Sequence, residues 1–335
     1  MNPTAMSITH RKVTADEHGL RVDRWFKVNF PAVTHAYLNK LLRTGQVRVN
    51  GARVKGNSRL EEGQDVRVPP LAFDKRPVDA PDKDLRPLTK EERALFRSMI
   101  LHEDDDLYVL NKPEGLAVQG GTKTHRHIDG LLMGLAAELG ERPRLVHRLD
   151  RDTSGVLVIA KRRSIASSLG RLFATRSVKK IYWAAVIGVP KPAQARIDVP
   201  LAKSATTEGD RVRAAEGRNQ AEAQRAVTLY AVIDKAPPVL SWVTLKPVTG
   251  RQHQLRAHMA HVGHPILGDN KYGGDADLAE TIANKLHLHA RRIIFPHPRG
   301  GEVDVTAPLP KFMRQTWQYF GFDPDRYDDG PSIRP

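Results

Sequence analysis

An aspartate among arginines, on a turn between two apolar runs, is the part of this chain best suited to chemistry. The stretch reads His147-Arg148-Leu149-Asp150-Arg151-Asp152-Thr153-Ser154-Gly155. A carboxylate in such surroundings serves as a nucleophile or as a general base. The same cations offer places for a phosphodiester. Three other readings compete. Asp/Arg clusters are commonly solvated ion pairs of little energetic weight. A kinase loop opens with His-Arg-Asp, but Leu149 intervenes here and neither Asp-Phe-Gly nor a glycine-rich loop with its lysine is present. A glycosidase pair of Asp150 and Asp152 would place both carboxylates on one short turn, which does not suit flanking a scissile bond.

Three more segments carry reactive or cationic groups. Asn111-Lys112-Pro113-Glu114-Gly115 is a strand end followed by a proline-fixed bend and a glycine turn. It is suited to shaping a cleft wall, with Lys112 as a candidate phosphate contact. Lys179-Lys180-Ile181-Tyr182-Trp183-Ala184 reads as a strand on which alternation separates Tyr182 from Ile181 and Trp183. Thr249-Gly250-Arg251-Gln252-His253-Gln254-Leu255-Arg256-Ala257-His258 is a turn feeding a helix that the pattern places at residues 251–262. His253, His258, His261 and His264 raise a metal reading, yet no thiol or acidic ligand accompanies them, so no metal is expected.

The balance of 53 Lys+Arg against 38 Asp+Glu gives a formal charge of +15 over 335 residues. That excess points to a polyanionic partner, and nucleic acid fits better than a membrane surface. No apolar run approaches the roughly 18 residues of a spanning helix, and residues 1–10 lack a signal core. The chain has no cysteine, which removes disulfides and thiolate metal sites and makes the cytoplasm the expected compartment.

The elements that must position these groups fall into two domains. Residues 1–18 read as a flexible N-terminus and 72–88, rich in proline and charge, as a linker. Between them, residues 19–71 show a helix from Val22, a second helix capped by Thr34, a strand running into the Asn50-Gly51 turn, and a short strand at 66–68. Lys40, Arg43, Arg48, Arg53, Lys55 and Arg59 give this domain a basic face. From Thr89 to about residue 325 strands and helices alternate, and a tail of 326–335 follows. Helices are expected at 89–100, 128–139, 165–173 and 311–320; strands at 107–110, 156–160, 180–187, 224–233, 240–246, 288–295 and 303–306. Strands that follow one another through short connections imply an α+β fold with a mixed, mostly antiparallel sheet flanked by helices.

In order along the chain, the 111–121, 147–155, 179–184 and 246–258 motifs resemble those of the RluA-type RNA pseudouridine synthases. Within that family, 117–121 and 128–131 are most similar to the RluC branch. Residues 19–70 resemble an S4-type RNA-binding domain. The resemblance implies an isomerase that turns uridine into pseudouridine in ribosomal RNA of the large subunit, or in its assembly precursor. It implies no cofactor and a flipped target base; the charge and apolar pattern point to no membrane, and a monomer is expected. The resemblance assigns catalysis to Asp150, Tyr182 and Arg256. Tyr182 would stack on the uridine or take part in a proton transfer, and Arg256 would fork onto the catalytic carboxylate. RNA contacts would come from Arg148, Arg151, Lys112 and Arg251, and from Lys40, Arg43, Arg48, Arg53 and Lys55. A nonenzymatic assembly factor and a uracil-releasing glycosidase are the alternatives.

Overall fold

The computed structural model describes residues 8–30, 33–71, 86–120, 126–175, 177–204, 211–215, 223–274, 278 and 282–327. The chain divides into two compact units, Met1–Asp84 and Leu85–Pro335.

In the first unit β1 (Thr9–Lys12) precedes α1 (Val22–Asn29) and α2 (His35–Arg43), which β2 (Arg48–Val49), β3 (Ala52–Arg53) and β4 (Asp65–Val68) follow. The strands form an antiparallel sheet in the order β1-β4-β2-β3. The Thr34 hydroxyl accepts from the Tyr37 amide and caps α2, as the sequence implies. Asn50 and Gly51, both at positive φ, make the turn between β2 and β3. Trp25, Phe26, Leu38 and Leu41 from the helices pack against Val47, Val49, Val66 and Val68.

One expectation fails at the N-terminus. Residues 9–12 form a strand paired with β4 and 15–17 form a short 3-10 helix, so residues 8–18 are ordered. All four side chains of β1 are exposed, so no hydrophobic alternation marks it. Residues 1–7 lie outside the described residues. Most of the expected linker does too; its last residues, 86–88, belong to the second unit, where Leu88 is buried and Arg86 pairs with Glu92.

The second unit begins with α3 (Lys90–Ser98), opened by a Thr89–Glu92 capping box. Then come β5 (Ile100–Glu103), β6 (Leu107–Lys112), α4 (Ile128–Leu139), β7 (Arg144–Leu145), β8 (Ser154–Ala160) and α5 (Arg163–Ala174). The second half holds β9 (Lys179–Ile187), β10 (Gln194–Asp198), β11 (Leu201–Ser204), β12 (Arg211–Ala214), β13 (Val227–Ala236) and β14 (Leu240–Pro247). It closes with α6 (Gln254–His261), β15 (Leu288–Pro296), β16 (Glu302–Thr306) and α7 (Lys311–Phe320).

Among the described residues, ten strands make one sheet. Its main path is β10-β13-β14-β9-β15-β8-β6-β5, with β16 beside β15 and β7 beside β8. Every pairing is antiparallel except β15–β8, which is parallel and only two residue pairs long, His289 to Ser154 and Ala290 to Gly155. This short seam divides the sheet. On one side, residues of α4 and α5 belong to apolar clusters on opposite faces. On the other side, α6 and α7 do the same. The mixed, mostly antiparallel sheet flanked by helices is the expected one.

The seam explains Gly155. Its φ is +106°, and a Cβ there would sit 2.2 Å from the Ala290 carbonyl oxygen, so no other residue fits without moving β15. Beside it the Ser154 hydroxyl meets His289 Nδ1 at 2.8 Å across the same seam. The Thr-Ser-Gly of the first motif is therefore structural: it joins the two halves of the sheet.

Candidate active site

A cleft of about 640 Å³ opens at the seam. Asp150 enters it from the loop before β8, where the Thr153 amide closes a turn onto the Asp150 carbonyl. Tyr182 enters from β9, and Arg251, His253 and Arg256 from the end of β14 and the start of α6. Alternation along β9 puts Trp183 and Ile181 in the core behind the sheet and leaves Tyr182 on the cleft side. Burial and then the Asp150 charge push the Tyr182 phenol above its ordinary pKa, so the hydroxyl keeps its proton.

Arg256 stands beside Asp150, with Nη1 3.8 Å from Oδ2. It does not fork onto Asp150. Its two-pronged pair is with Asp269, Nε to Oδ2 at 2.7 Å and Nη2 to Oδ1 at 2.6 Å. Asp269 is fully buried and also accepts from the Lys271 amide. Burial opposes the charge on Arg256, but the Asp269 carboxylate outweighs it and raises the arginine's pKa. The expected fork thus exists with another partner, because the chain after α6 returns Asp269 beneath the guanidinium.

α6 begins at Gln254, three residues later than the pattern places it. The buried Gln254 amide explains the shift. Its Oε1 accepts from the Thr249 hydroxyl at 2.6 Å and the Arg251 amide at 3.1 Å. Its Nε2 donates to the Val227 carbonyl and the Thr228 hydroxyl. These bonds hold residues 249–253 as a turn against β13. His253 closes the turn in the left-handed region, φ +49°, where non-glycine residues are uncommon. Its Nε2 lies 3.9 Å from Asp150 Oδ1.

The other expected site residues divide. Arg148 and Arg251 line the cleft and are exposed. Arg151 is not part of the lining; its Nε donates to the Gly115 carbonyl. Lys112 corrects an expectation: it is fully buried, and its Nζ donates to the carbonyls of Pro113, Leu116 and Arg151. Burial pulls its pKa down to about 8, and it has no surface to offer a phosphate. It ties the 111–116 bend to the Asp150 loop. His147, which opens the same motif, lines the cleft without carrying charge to it. It stacks on Phe173, accepts from the Val158 amide, and burial lowers its pKa to about 3. The reading of the sequence missed Asp269 and Tyr272. It also missed the cleft-lining Lys180, whose pKa burial lowers. The glycines around Gly268-Asp269 and Tyr272-Gly273-Gly274 were the available signal.

In the first unit Lys40, Arg43, Arg53 and Lys55 are exposed. Arg48 is half-buried and braces a turn, donating to the carbonyls of Gly45 and Gly51.

The remaining histidines build the frame. His258 bonds the Thr228 hydroxyl and the Val199 carbonyl, and His264 the Ile187 carbonyl. Among the described residues no group of three His, Cys, Asp or Glu is placed to hold a metal ion. His287 and His289 are fully buried, and burial lowers their pKa values from 6.5 to about 4 and about 3. Unfolded imidazoles take protons below about pH 6.5, whereas these two take them only near pH 3–4. Stability is therefore complete above pH 6.5 and falls with pH between those limits. Each contributes about 1.4 kcal/mol per pH unit at most. Urea unfolding at pH 7 and pH 5 should show the loss, and His289→Gln should reduce it; an equal loss in the variant would discount His289.

Asp150, Tyr182 and Arg256 thus line one cleft at the seam of this mixed sheet. Residues 106–261 match the RNA pseudouridylate synthase family. Ribosomal large subunit pseudouridine synthase C of Escherichia coli (strain K12) is 37% identical over 314 residues, 91% of this chain and 94% of its own length. The protein of that name from Vibrio vulnificus (strain CMCP6) is 35% identical over 95% of this chain and 98% of its own. Among solved structures, human RNA pseudouridylate synthase domain containing 4 has a TM-score of 0.57 at 31% identity, covering 69% of this chain and 97% of that one. The chain belongs to the RNA pseudouridylate synthase family, on the branch that carries the synthase C name.

Proposed function

We propose that the protein converts one or more uridines of large-subunit ribosomal RNA to pseudouridine, with Asp150 as the essential group. The observation that carries this is the meeting of Asp150, Tyr182 and Arg256 in one cleft. The reaction breaks the N1–C1′ bond, turns the uracil, joins C5 to C1′, releases the C5 proton and leaves a proton on N1. Substrate and product have the same formula, so no net oxidant or reductant is consumed. The cleft admits a nucleotide only after it leaves its helix, which requires base flipping. Arg148, Lys180 and Arg251 on the walls supply positive charge for the flanking phosphates. Asp150 serves by attacking the sugar or the ring, or by removing a sugar proton.

A ribosomal RNA transcript carrying tritium at uridine C5 provides the test. Isomerisation releases tritium to water and leaves the base attached through carbon. Free uracil instead would establish a glycosidase, and neither product would establish a binding factor.

The N-terminal unit is read as an S4-type RNA anchor, on the strength of its exposed Lys40, Arg43, Arg53 and Lys55. Each phosphate contact contributes about −0.7 to −0.9 to the log–log salt slope of binding. Removing residues 1–75 should weaken binding to ribosomal RNA and flatten that slope. Activity on a short RNA at high concentration should persist, because Asp150, Tyr182 and Arg256 remain. Binding with an unchanged slope would remove the anchoring role.

Among the described residues no helix is long and apolar enough to cross a membrane. The reading includes a cytoplasmic site of action, where ribosomal RNA is found. It also includes a monomer, since the large exposed apolar side chains, such as Val28, Leu139 and Tyr319, lie far apart in sequence on separate helices. Sedimentation would check the latter.

A further inference from the structure

His253 and Asn50 are the non-glycine residues at positive φ among the described residues. At φ +49° and ψ 19°, His253 is a strained N-cap whose side chain makes no capping bond to α6. The ring instead turns inward and is 8% exposed. Its two nitrogens face different partners. Nε2 faces Asp150 Oδ1 at 3.9 Å, and Nδ1 lies 3.2 Å from the Tyr272 hydroxyl.

The Tyr272 hydroxyl has a second partner besides His253. Its oxygen accepts from the Val212 amide at 3.0 Å. The phenol hydrogen then needs an acceptor, and among the described residues His253 Nδ1 is the one its bonds provide. Burial lowers the imidazole pKa, with the Asp150 charge opposing, so the ring is neutral near pH 7. A neutral ring that accepts at Nδ1 carries its proton on Nε2. Tyr272 is itself held, with the Arg256 guanidinium 5.3 Å from its ring centre and the His253 ring edge-on at 5.9 Å.

We propose that His253, with its tautomer set by Tyr272, is a positioning residue for Asp150. Its Nε2–H addresses Oδ1 while Arg256 Nη1 addresses Oδ2, so the carboxylate has one orientation. Both approaches are about 1 Å longer than a hydrogen bond, a gap that closes when a nucleotide binds. The inference rests on Asp150 as the reacting carboxylate.

The test combines a spectroscopic and a kinetic reading on the full chain, with a transcript of large-subunit ribosomal RNA as substrate. Nitrogen-15 resonances of the histidines, assigned with His253→Gln, should show His253 protonated at Nε2 and bare at Nδ1. Tyr272→Phe should abolish that preference. His253→Ala should lower the single-turnover rate roughly 10- to 100-fold, the scale on which misplacing a reacting group by about 1 Å costs rate, while RNA affinity changes less than twofold. His253→Gln, whose amide also donates, should recover part of the loss. If His253→Ala does not fold, Tyr272→Phe carries the kinetic test. It keeps the ring, should slow turnover severalfold, and should add nothing in the His253→Gln background. A proton on Nδ1, a wild-type rate for His253→Ala, or additive effects of the two variants would each overturn the inference. Asp150→Asn separates the two failures. If it turns over, the reading of Asp150 falls; if it is inactive while His253→Ala is unimpaired, only the role of His253 falls.

Discussion

Asp150→Asn should lower the single-turnover rate of pseudouridine formation by more than about 1,000-fold, as loss of a reacting acid–base or nucleophilic group does. The substitution removes a charge and almost no volume. Asp150 is only partly buried, and its neighbours His253 and Arg256 are both beyond hydrogen-bond distance. The fold therefore depends little on its side chain, and the melting temperature and RNA affinity should stay near wild type. A rate within tenfold of wild type would end the assignment, because no other carboxylate lines the cleft among the described residues.

The largest expected effect on stability is at Asp269. Asp269→Ala should destabilise the second unit by about 3–5 kcal/mol, the range for removing one partner of a buried pair. Arg256 and Asp269 are 4% and 0% exposed, so water cannot stand in for the lost carboxylate. The guanidinium would keep its charge and lose both short bonds. In a unit of this size the melting temperature should fall on the order of 10 °C, and activity should fall with it as Arg256 leaves its place. Asp269→Asn, which still accepts one bond, should lose less. A change under about 1 kcal/mol for the alanine variant would show that Arg256 finds another acceptor or draws in water.

Much of the site was legible because its residues sit on elements with a readable period or a named turn. Tyr182 lies on a strand whose alternation separates it from Trp183, and the structure keeps that separation. Asp150 precedes a turn and a fully buried strand, both visible in its motif. The failures have physical causes. Lys112 looks like a surface cation, yet three carbonyls converge on its Nζ, a tertiary arrangement with no local signature. The start of α6 was misplaced because Gln254 bonds to β13 and the 249–251 turn. Asp269 and Tyr272 come from an irregular segment, where periodicity says nothing. β1 hides because its side chains are all exposed. β7 and β12 are two and four residues long, short enough to be lost among turns.

The seam between β8 and β15 also bears on how the protein acquires its activity during folding. Asp150 belongs to one half of the sheet, while Tyr182, His253 and Arg256 belong to the other. The two parallel pairs that join the halves link residues 154–155 to 289–290. Contacts so distant in sequence should close late, after local hairpins such as β5–β6 and β13–β14. Pulse-labelled hydrogen exchange during refolding should protect those hairpins before the seam. Until the seam closes, the chain holds Asp150, Tyr182, His253 and Arg256 without the cleft that brings them together, so activity should report completed folding rather than the presence of the parts.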